Sequence, residues 1–273
     1  MSDNPIARII HLSDLHFGDQ LANREEWWHK LAAPLVQGLY VHDYQAVCAL
    51  ERILYEITEQ ATASNVPLLV VHTGDLTAGG KELEFQTGAS FLNKLGIVHE
   101  VPGNHDKWKF ISETPPAWYQ AHFPHLEPIV CLNGTIVFFR IDSNKSWPDA
   151  TGMLPAAALR EVCADLASHP EAIRIVLMHH PLFVAPQHDN KLLCLDDRET
   201  IAKSLAAAGA DCVLTGHVHV SQYEPQPDPP LHFIAGSAAQ MCGHKSFLVL
   251  DGYCAGFDVQ HFALGPDNHF RSV

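Results

Sequence analysis

The chain is short of positive charge, of long apolar runs and of paired cysteines, and each shortage closes off a class of function. Only 17 Lys+Arg stand against 31 Asp+Glu in 273 residues, a net charge of −14 with histidine neutral. No basic run interrupts that balance, so neither duplex nucleic acid nor an anionic membrane is an expected partner. No apolar stretch approaches the ~18 residues of a membrane span, and Met1–Ile10 lacks the pattern of a secretory signal. The seven cysteines (Cys48, Cys131, Cys163, Cys194, Cys212, Cys242, Cys254) are odd in number, scattered, and form no C-x-x-C. They read as reduced thiols in a cytoplasmic compartment, not as a disulfide framework or zinc ribbon. Repeats, low-complexity tracts and Gly/Ser linkers are missing too, and a single domain over residues 1–273 is expected.

Histidine, by contrast, is abundant: there are 19. They are dispersed rather than gathered in tracts, which argues against metal storage. Their placement becomes informative once the elements are laid out. Short apolar, β-branched runs predict strands over Ala7–Leu12, Pro67–His72, Gly96–Val101, Thr135–Ile141, Ile173–Met178, Asp211–Leu214, Leu231–Ala235 and Ser246–Leu250. Helical periodicity marks Tyr44–Ser64, Lys81–Lys94, Pro155–Ala167 and Asp197–Ala208. Strands alternating with helices imply an α/β fold with a largely parallel core, and the short loops near the C-terminus suggest antiparallel strands there.

Five strands run straight into metal-type side chains. They lead to Asp14 and His16, to Gly74-Asp75, to Gly103-Asn104-His105-Asp106, to His179-His180, and to Gly216-His217-Val218-His219. In open α/β sheets ligands bind beyond the carboxyl ends of strands, so the five termini can converge. Asp14 and His16, one residue apart, would project to one side of an extended segment, and His217 and His219 repeat that spacing. Asp75 could bridge two cations, and Asn104 offers a neutral oxygen. Carboxylate, amide oxygen and imidazole together suit Mn, Fe or Zn better than Ca or Mg. There are enough donors for two ions ~3.5–4 Å apart, the arrangement that clamps phosphoryl oxygens. Glycines 74, 103 and 216 would permit the turns that aim the ligands inward. Singly, each signal is ordinary: Asp-x-His recurs by chance, Gly-Asp is usually a turn, and His-His-Pro usually only ends a strand. Five in order, each at a strand terminus, are not.

The ordered set Asp-x-His, Gly-Asp, Gly-Asn-His-Asp, His, Gly-His-x-His, spanning Asp14 to His219, resembles the calcineurin-like metallophosphoesterases. The resemblance implies a four-layer α/β/β/α sandwich with two mixed central sheets and a dinuclear site at the carboxyl strand edges. Carried over by position, one ion would be held by Asp14, His16, Asp75 and His219. The other would be held by Asp75, Asn104, His179 and His217, with Asp75 bridging two divalent or mixed-valence ions. His179 rather than His180 is assigned because the family's ligand directly ends the strand. The implied chemistry is in-line attack on phosphorus by a metal-bridging hydroxide. His105 would contact phosphate and protonate the leaving alkoxide, and Asp106 would orient His105.

Within that family, the segment GDLTAGG (74–80) followed by Glu82 and Glu84-Phe85, with HLSDLHFG (11–18), is similar to the Icc-like class III cyclic-nucleotide phosphodiesterases and glycerophosphodiesterases. His105, where UDP-diacylglucosamine pyrophosphatases have Arg, and the lack of a Phe-Asp after Gly-Asp-Leu argue against that branch and against the nucleases. The arginines typical of protein Ser/Thr phosphatases are missing as well. The expected substrate is a small-molecule phosphodiester, cyclic nucleotides included, with Asn104, His105 and Trp108 contacting it. The alternative is a phosphomonoesterase or promiscuous phosphatase on the same ions. A non-catalytic interaction module would have lost ligands that are all present here. Dimers are common in the resembling group, so a homodimer is among the assemblies it allows. Sixty-one positions separate Asp14 from Asp75, longer than compact relatives need. The extra length falls at 19–43, with Trp27, Trp28, His29 and Tyr40, and reads as an insert or lid, or as aromatic packing of an added helix. His188 and Asp189 lie on a loop within reach of substrate. His11, His72 and His180 flank the ligands and are candidates for supporting hydrogen bonds.

Overall fold

The computed structural model describes residues 4–18, 42–107, 117–123, 126–145, 150–185, 195–223, 230–240 and 244–273. Among the described residues, eleven strands form two mixed sheets. In the six-stranded sheet, β1 (Ala7–Leu12), β2 (Leu68–His72) and β3 (Val98–Glu100) are parallel neighbours. It is extended antiparallel past β1 by β9 (Ser246–Tyr253), β10 (Gly256–Leu264) and β11 (Phe270–Ser272). In the five-stranded sheet, β4 (Ile129–Cys131) pairs antiparallel with β5 (Ile136–Arg140). From β5, β6 (Ile173–Leu177), β7 (Cys212–Thr215) and β8 (Leu231–Ile234) continue in parallel.

The period-2 alternation of the strands explains the layering. In β1, Ile9 packs between the two sheets while Ile10 packs outward under the helices. In β6, Ile175 and Leu177 face the other sheet while Val176 faces the outer helices. Both faces of each sheet are therefore apolar, as parallel strands covered on both sides must be. The outer face of the first sheet is closed by α1 (Tyr44–Ala63) and α2 (Glu82–Asn93). A short α3 (Ala117–His122) adds Tyr119 to that layer. The outer face of the second sheet is closed by α4 (Ala156–Ala167) and α5 (Arg198–Ala207). The result is the expected four-layer α/β/β/α sandwich. Helix α1 starts where it does because the Asp43 carboxylate accepts the N–H groups of Gln45 and Ala46 at 2.9 and 3.4 Å, satisfying donors that a helix start leaves open. Its buried Val47, Leu50, Leu54, Ile57 and Ala61 recur at three- and four-residue spacing.

All eight predicted strands and four predicted helices are present, with ends shifted by at most two residues except that the strand from Ser246 runs three residues further, to Tyr253. The antiparallel expectation needs a correction for Leu231–Ile234, which pairs in parallel with β7. The fifteen residues between those strands are long enough for a parallel crossover, which hairpin loops are not. Strands β4 and β11, three residues each, and β10, with polar Asp258 and Gln260 on its open face, gave no clear apolar signal. Among the described residues no helix is long and apolar enough to cross a membrane. Most of the 19–43 insert, with Trp27, Trp28, His29 and Tyr40, lies outside the described residues, as do Trp108, His188 and Asp189.

Candidate metal centre

Since β1, β2 and β3 are parallel in one sheet and β6 and β7 in the other, their carboxyl ends meet at one edge of the sandwich. Two donor clusters stand there. Asp14, His16, Asp75 and His219 form the first, Asp75, His179 and His217 the second, with donor atoms of each group within 4.8 Å of one another. Asp75 belongs to both. In the first, His219 Nε2 lies 3.1 Å from both Asp14 Oδ1 and His16 Nε2. In the second, His179 Nε2 lies 3.1 Å from His217 Nδ1, 3.1 Å from Asn104 Oδ1 and 3.4 Å from Asp75 Oδ2. The structure thus brings together all seven side chains singled out as ligands from the sequence.

Backbone geometry, rather than an extended alternation, delivers them. Asp14, His16, Asp75, His217 and His219 all adopt left-handed φ, between 50° and 73°. A non-glycine residue holds that conformation only where its surroundings over-determine it, and such residues gather at functional sites. Here the N–H groups of Asp14 and His16 donate to the carbonyls of Gly74 and Asp75 at 2.9 and 3.0 Å. Two bonds pin the sheets to one another at this edge. His179 Nδ1 donates to the Thr73 carbonyl at 2.8 Å, and the His217 N–H donates to Asp14 Oδ2 at 2.9 Å. The first of these leaves His179 Nε2 as the ring nitrogen that could face a cation. Gly74 has φ +101°, as a tight turn requires. Gly103 and Gly216 are needed for close approach instead: a Cβ on Gly103 would overlap Asp75, and one on Gly216 would overlap Ser13 Oγ.

Electrostatics match a cation site. Burial alone would push the Asp14 and Asp75 carboxyls up, but the facing imidazoles (His219 for Asp14, His179 for Asp75) hold both below the usual carboxylate range. Burial lowers His179, yet Asp75 and Asp14 overcome it and raise the ring to about 9. Burial and then His179 lower His217 to about 3. Two carboxylates are therefore balanced by protons on imidazoles, and divalent ions would displace those protons. The donor set fits such ions: buried Asp14 Oδ1 faces His219 Nε2 at 3.1 Å, and ring nitrogen faces ring nitrogen at 3.1 Å between His16 and His219 and again between His179 and His217.

The assigned partner of His105 differs from expectation. Asp106 sits at the start of the same 3-10 turn, but its carboxylate accepts the N–H groups of Gly103 and Thr77, each at 2.9 Å, and the Thr77 hydroxyl at 2.9 Å. The oxygen facing His105 Nδ1 is the Ala78 carbonyl, at 2.9 Å. The His105 ring stands edge-on to His16, with centroids 4.8 Å apart, so it flanks the first cluster. Asp106 therefore ties loops together, and Ala78 orients His105. The main-chain partners, Thr73 and Ala78, were invisible to residue-type reasoning because backbone oxygens carry no side-chain signal. Thr77, within the segment GDLTAGG, carries no metal-type side chain that would mark this role in the sequence. Glu84 from the same signature accepts the N–H groups of Gly79 and Lys81 at 2.8 and 3.2 Å, fixing the loop that presents Ala78. Of the flanking histidines, His180 packs on His217 at 4.5 Å and is held by Ser143 and the Ala150 carbonyl. His11 bonds the Thr73 hydroxyl at 3.0 Å. His72 is buried with neither ring nitrogen hydrogen-bonded.

The family model for calcineurin-like phosphoesterases matches residues 7–221. A sequence search against curated proteins finds no match. A dimetal phosphatase from Danio rerio superposes with TM-score 0.64 at 13% identity, covering 99% of each chain. Thermus thermophilus sulfate thiohydrolase SoxB gives TM-score 0.59 at 13% identity, covering 100% of this chain and 59% of that one. The 5′-nucleotidase of Candida albicans gives 0.52 at 11% identity, covering 98% of this chain and 54% of that one. At such identities these likenesses speak for the fold.

Proposed function

The chain belongs to the calcineurin-like phosphoesterase family, and from that membership we propose that it is a metal-dependent phosphodiesterase acting on a small-molecule diester, cyclic nucleotides included. The observation that carries the reading is the charge around the donor clusters. A diester brings one negative charge, a monoester close to two, and guanidinium groups are the usual complement of the second. Arg8, Arg174 and Arg271 are each paired with an aspartate on elements away from the centre: Asp251, Asp211 and Asp267. Lys107, two residues beyond His105, is paired with Asp142.

Asp14, His16, Asp75 and His219 would hold one ion, and Asp75, Asn104, His179 and His217 the other. Manganese, iron and zinc suit this donor set. Bound there, two cations would neutralise phosphoryl oxygens and make water acidic at neutral pH. The chain's own residues supply the rest. With Nδ1 of His105 held by the Ala78 carbonyl, Nε2 is the ring nitrogen left to pass a proton to a leaving alkoxide. Burial of Asp14, His16, Asp75, His179 and His217 strengthens each charge interaction among them. Cytoplasmic residence is part of the same proposal, supported by the free thiols of Cys48, Cys131, Cys163, Cys212 and Cys254.

The test is a comparison of bis-(p-nitrophenyl) phosphate, p-nitrophenyl phosphate, and 2′,3′- and 3′,5′-cyclic nucleotides, each with Mn²⁺, Fe²⁺ and Zn²⁺. Higher kcat/KM on diesters is expected; a clear preference for the monoester overturns the diester reading and leaves a phosphatase on the same centre.

A further inference from the structure

The segment Ser237–Gln240 follows β8, lies beyond the family-matched residues 7–221 and carries no metal-type side chain, yet it reaches the centre. Ser237 is buried. Its hydroxyl donates to the Asp14 carbonyl at 2.6 Å and accepts the Gln240 N–H at 3.1 Å. With the acceptor side occupied by Gln240, the hydroxyl proton is directed at Asp14. The same segment touches its neighbours twice more through the main chain. Ala238 N–H donates to the Ser13 carbonyl at 3.4 Å, and Ala239 accepts the Asp43 N–H at 2.7 Å. Beside Asp43, the His42 N–H donates to the His16 carbonyl at 3.0 Å. The ligand-bearing stretch Ser13–His16 is therefore held from both sides: by Gly74 and Asp75 through its N–H groups, and by this segment and His42 through its carbonyls.

That grip matters because Asp14 has φ 54°, a conformation a non-glycine residue leaves unless its peptide planes are fixed. Rotation of the peptide that follows Asp14 would swing its carboxylate away from His219. The N–H of Asp14 is fixed by backbone, which no substitution removes. Its carbonyl is fixed by a side chain, which one substitution does remove.

We propose that Ser237 is a positioning residue for the dinuclear centre, its hydroxyl locking the Asp14 main chain in the left-handed geometry that delivers Asp14 Oδ1 to His16, Asp75 and His219. The proposal rests on the dinuclear reading given above and deepens it. It singles out the ion held by Asp14. The other ion would be held by Asp75, Asn104, His179 and His217, a group to which Asp14 contributes no donor atom, although its Oδ2 accepts the His217 N–H.

The experiment titrates Mn²⁺ alone into EDTA-stripped full-length protein, read by calorimetry and by electron paramagnetic resonance. Wild type is expected to take two ions and to show an exchange-coupled signal. Ser237→Ala is expected to weaken one ion by about 10- to 100-fold, as loss of an outer-shell partner does, and to replace the coupled signal with an isolated six-line one. Ser237→Thr, which keeps a hydroxyl, restores both. Ser246→Ala is the control: Ser246 is buried nearby, but its hydroxyl bonds Ser221 Oγ at 2.9 Å, and wild-type affinities are expected. If Ser237→Ala does not fold by circular dichroism, Ser237→Cys, a poor donor of similar size, carries the same expectation. Wild-type affinities in Ser237→Ala, failure of threonine to rescue, or an equal loss in Ser246→Ala each overturn the positioning role. Wild-type protein that takes fewer than two ions overturns the dinuclear reading itself.

Discussion

Asp106 and Thr77 are joined twice: one carboxylate oxygen accepts both the backbone N–H and the hydroxyl of Thr77, each at 2.9 Å. The other oxygen takes the Gly103 N–H at 2.9 Å and the Leu76 N–H at 3.4 Å. One buried side chain thereby ties the loop that carries Asp75 to the loop that carries Asn104 and His105. Burial first, then the charge of Asp75, raise this carboxyl to about 6, and the N–H donors oppose them.

Asp106→Ala should therefore damage the centre from outside it. A loss of about 10- to 100-fold in metal affinity or kcat/KM is expected. Asp106→Asn should be little better, since its NH₂ would face N–H donors on one side. Metal content and kcat/KM measured together check this; an Asn variant with wild-type values would show that these bonds do not set the geometry.

His105→Ala should separate binding from turnover. His105 is the flanking imidazole nearest the first cluster, yet it is absent from both donor groups. Two ions should still bind. Turnover of esters with poor leaving groups should fall by about 10²- to 10⁴-fold, the usual worth of a positioned acid, while esters of nitrophenol should fall far less. A loss independent of leaving-group pKa would remove His105 as the proton donor.

Gly103→Ala should disable the centre through a single methyl group. Its Cβ would collide with the carboxylate and main chain of Asp75, the residue shared by both clusters, and neither is a flexible chain end. The expected result is folded or destabilised protein that takes up less than one ion. Gly134→Ala is the control for a general glycine effect: nothing lies within 4 Å of its Cβ position, although φ there is +91°. Full loading of Gly103→Ala would show that the turn can shift without cost to Asp75.

These contrasts show what could be read from the sequence. The eight strands with apolar runs were readable because most are covered on both faces, and such burial leaves apolar runs whether the pairing is parallel or, as in β9, antiparallel. So was the clustering of the candidate ligands, since carboxylate and imidazole side chains stand at the ends of several strands. Strands β4 and β11 were not, at three residues each. The partner of His105 was misread because adjacency in sequence suggested Asp106, while the chain turns so that Ala78 faces the ring. The left-handed backbone of Asp14, His16, His217 and His219 was likewise unreadable, since residue spacing suggested extended chain. Position in the sequence indicates which side chains gather at the strand ends; tertiary hydrogen bonding decides how each is held.

The histidines outside the centre lead to a prediction about acid. His232 is wholly buried, its Nε2 shares a hydrogen bond with the Thr215 hydroxyl at 3.0 Å, and burial lowers it to about 3. His11 is lowered to about 3 and His72 to about 4, burial again the leading cause. Such a ring is neutral in the folded chain, whereas in the unfolded chain it binds a proton below about 6.5. The stability it contributes is complete above about 6.5 and is lost as pH falls from there toward 3 or 4, at up to about 1.4 kcal/mol per pH unit for each ring. Urea unfolding of EDTA-stripped protein between pH 7.5 and 5 should therefore show falling stability. His232→Gln, which can keep a hydrogen bond to Thr215 but cannot titrate, should fall less, by about 1–2 kcal/mol over that range. Stripping matters, because His179 and His219 are raised rather than lowered and metal would mask them. Their contribution is common to both proteins, so the difference isolates His232. Parallel pH profiles for the two would mean that position 232 plays no part in the acid sensitivity.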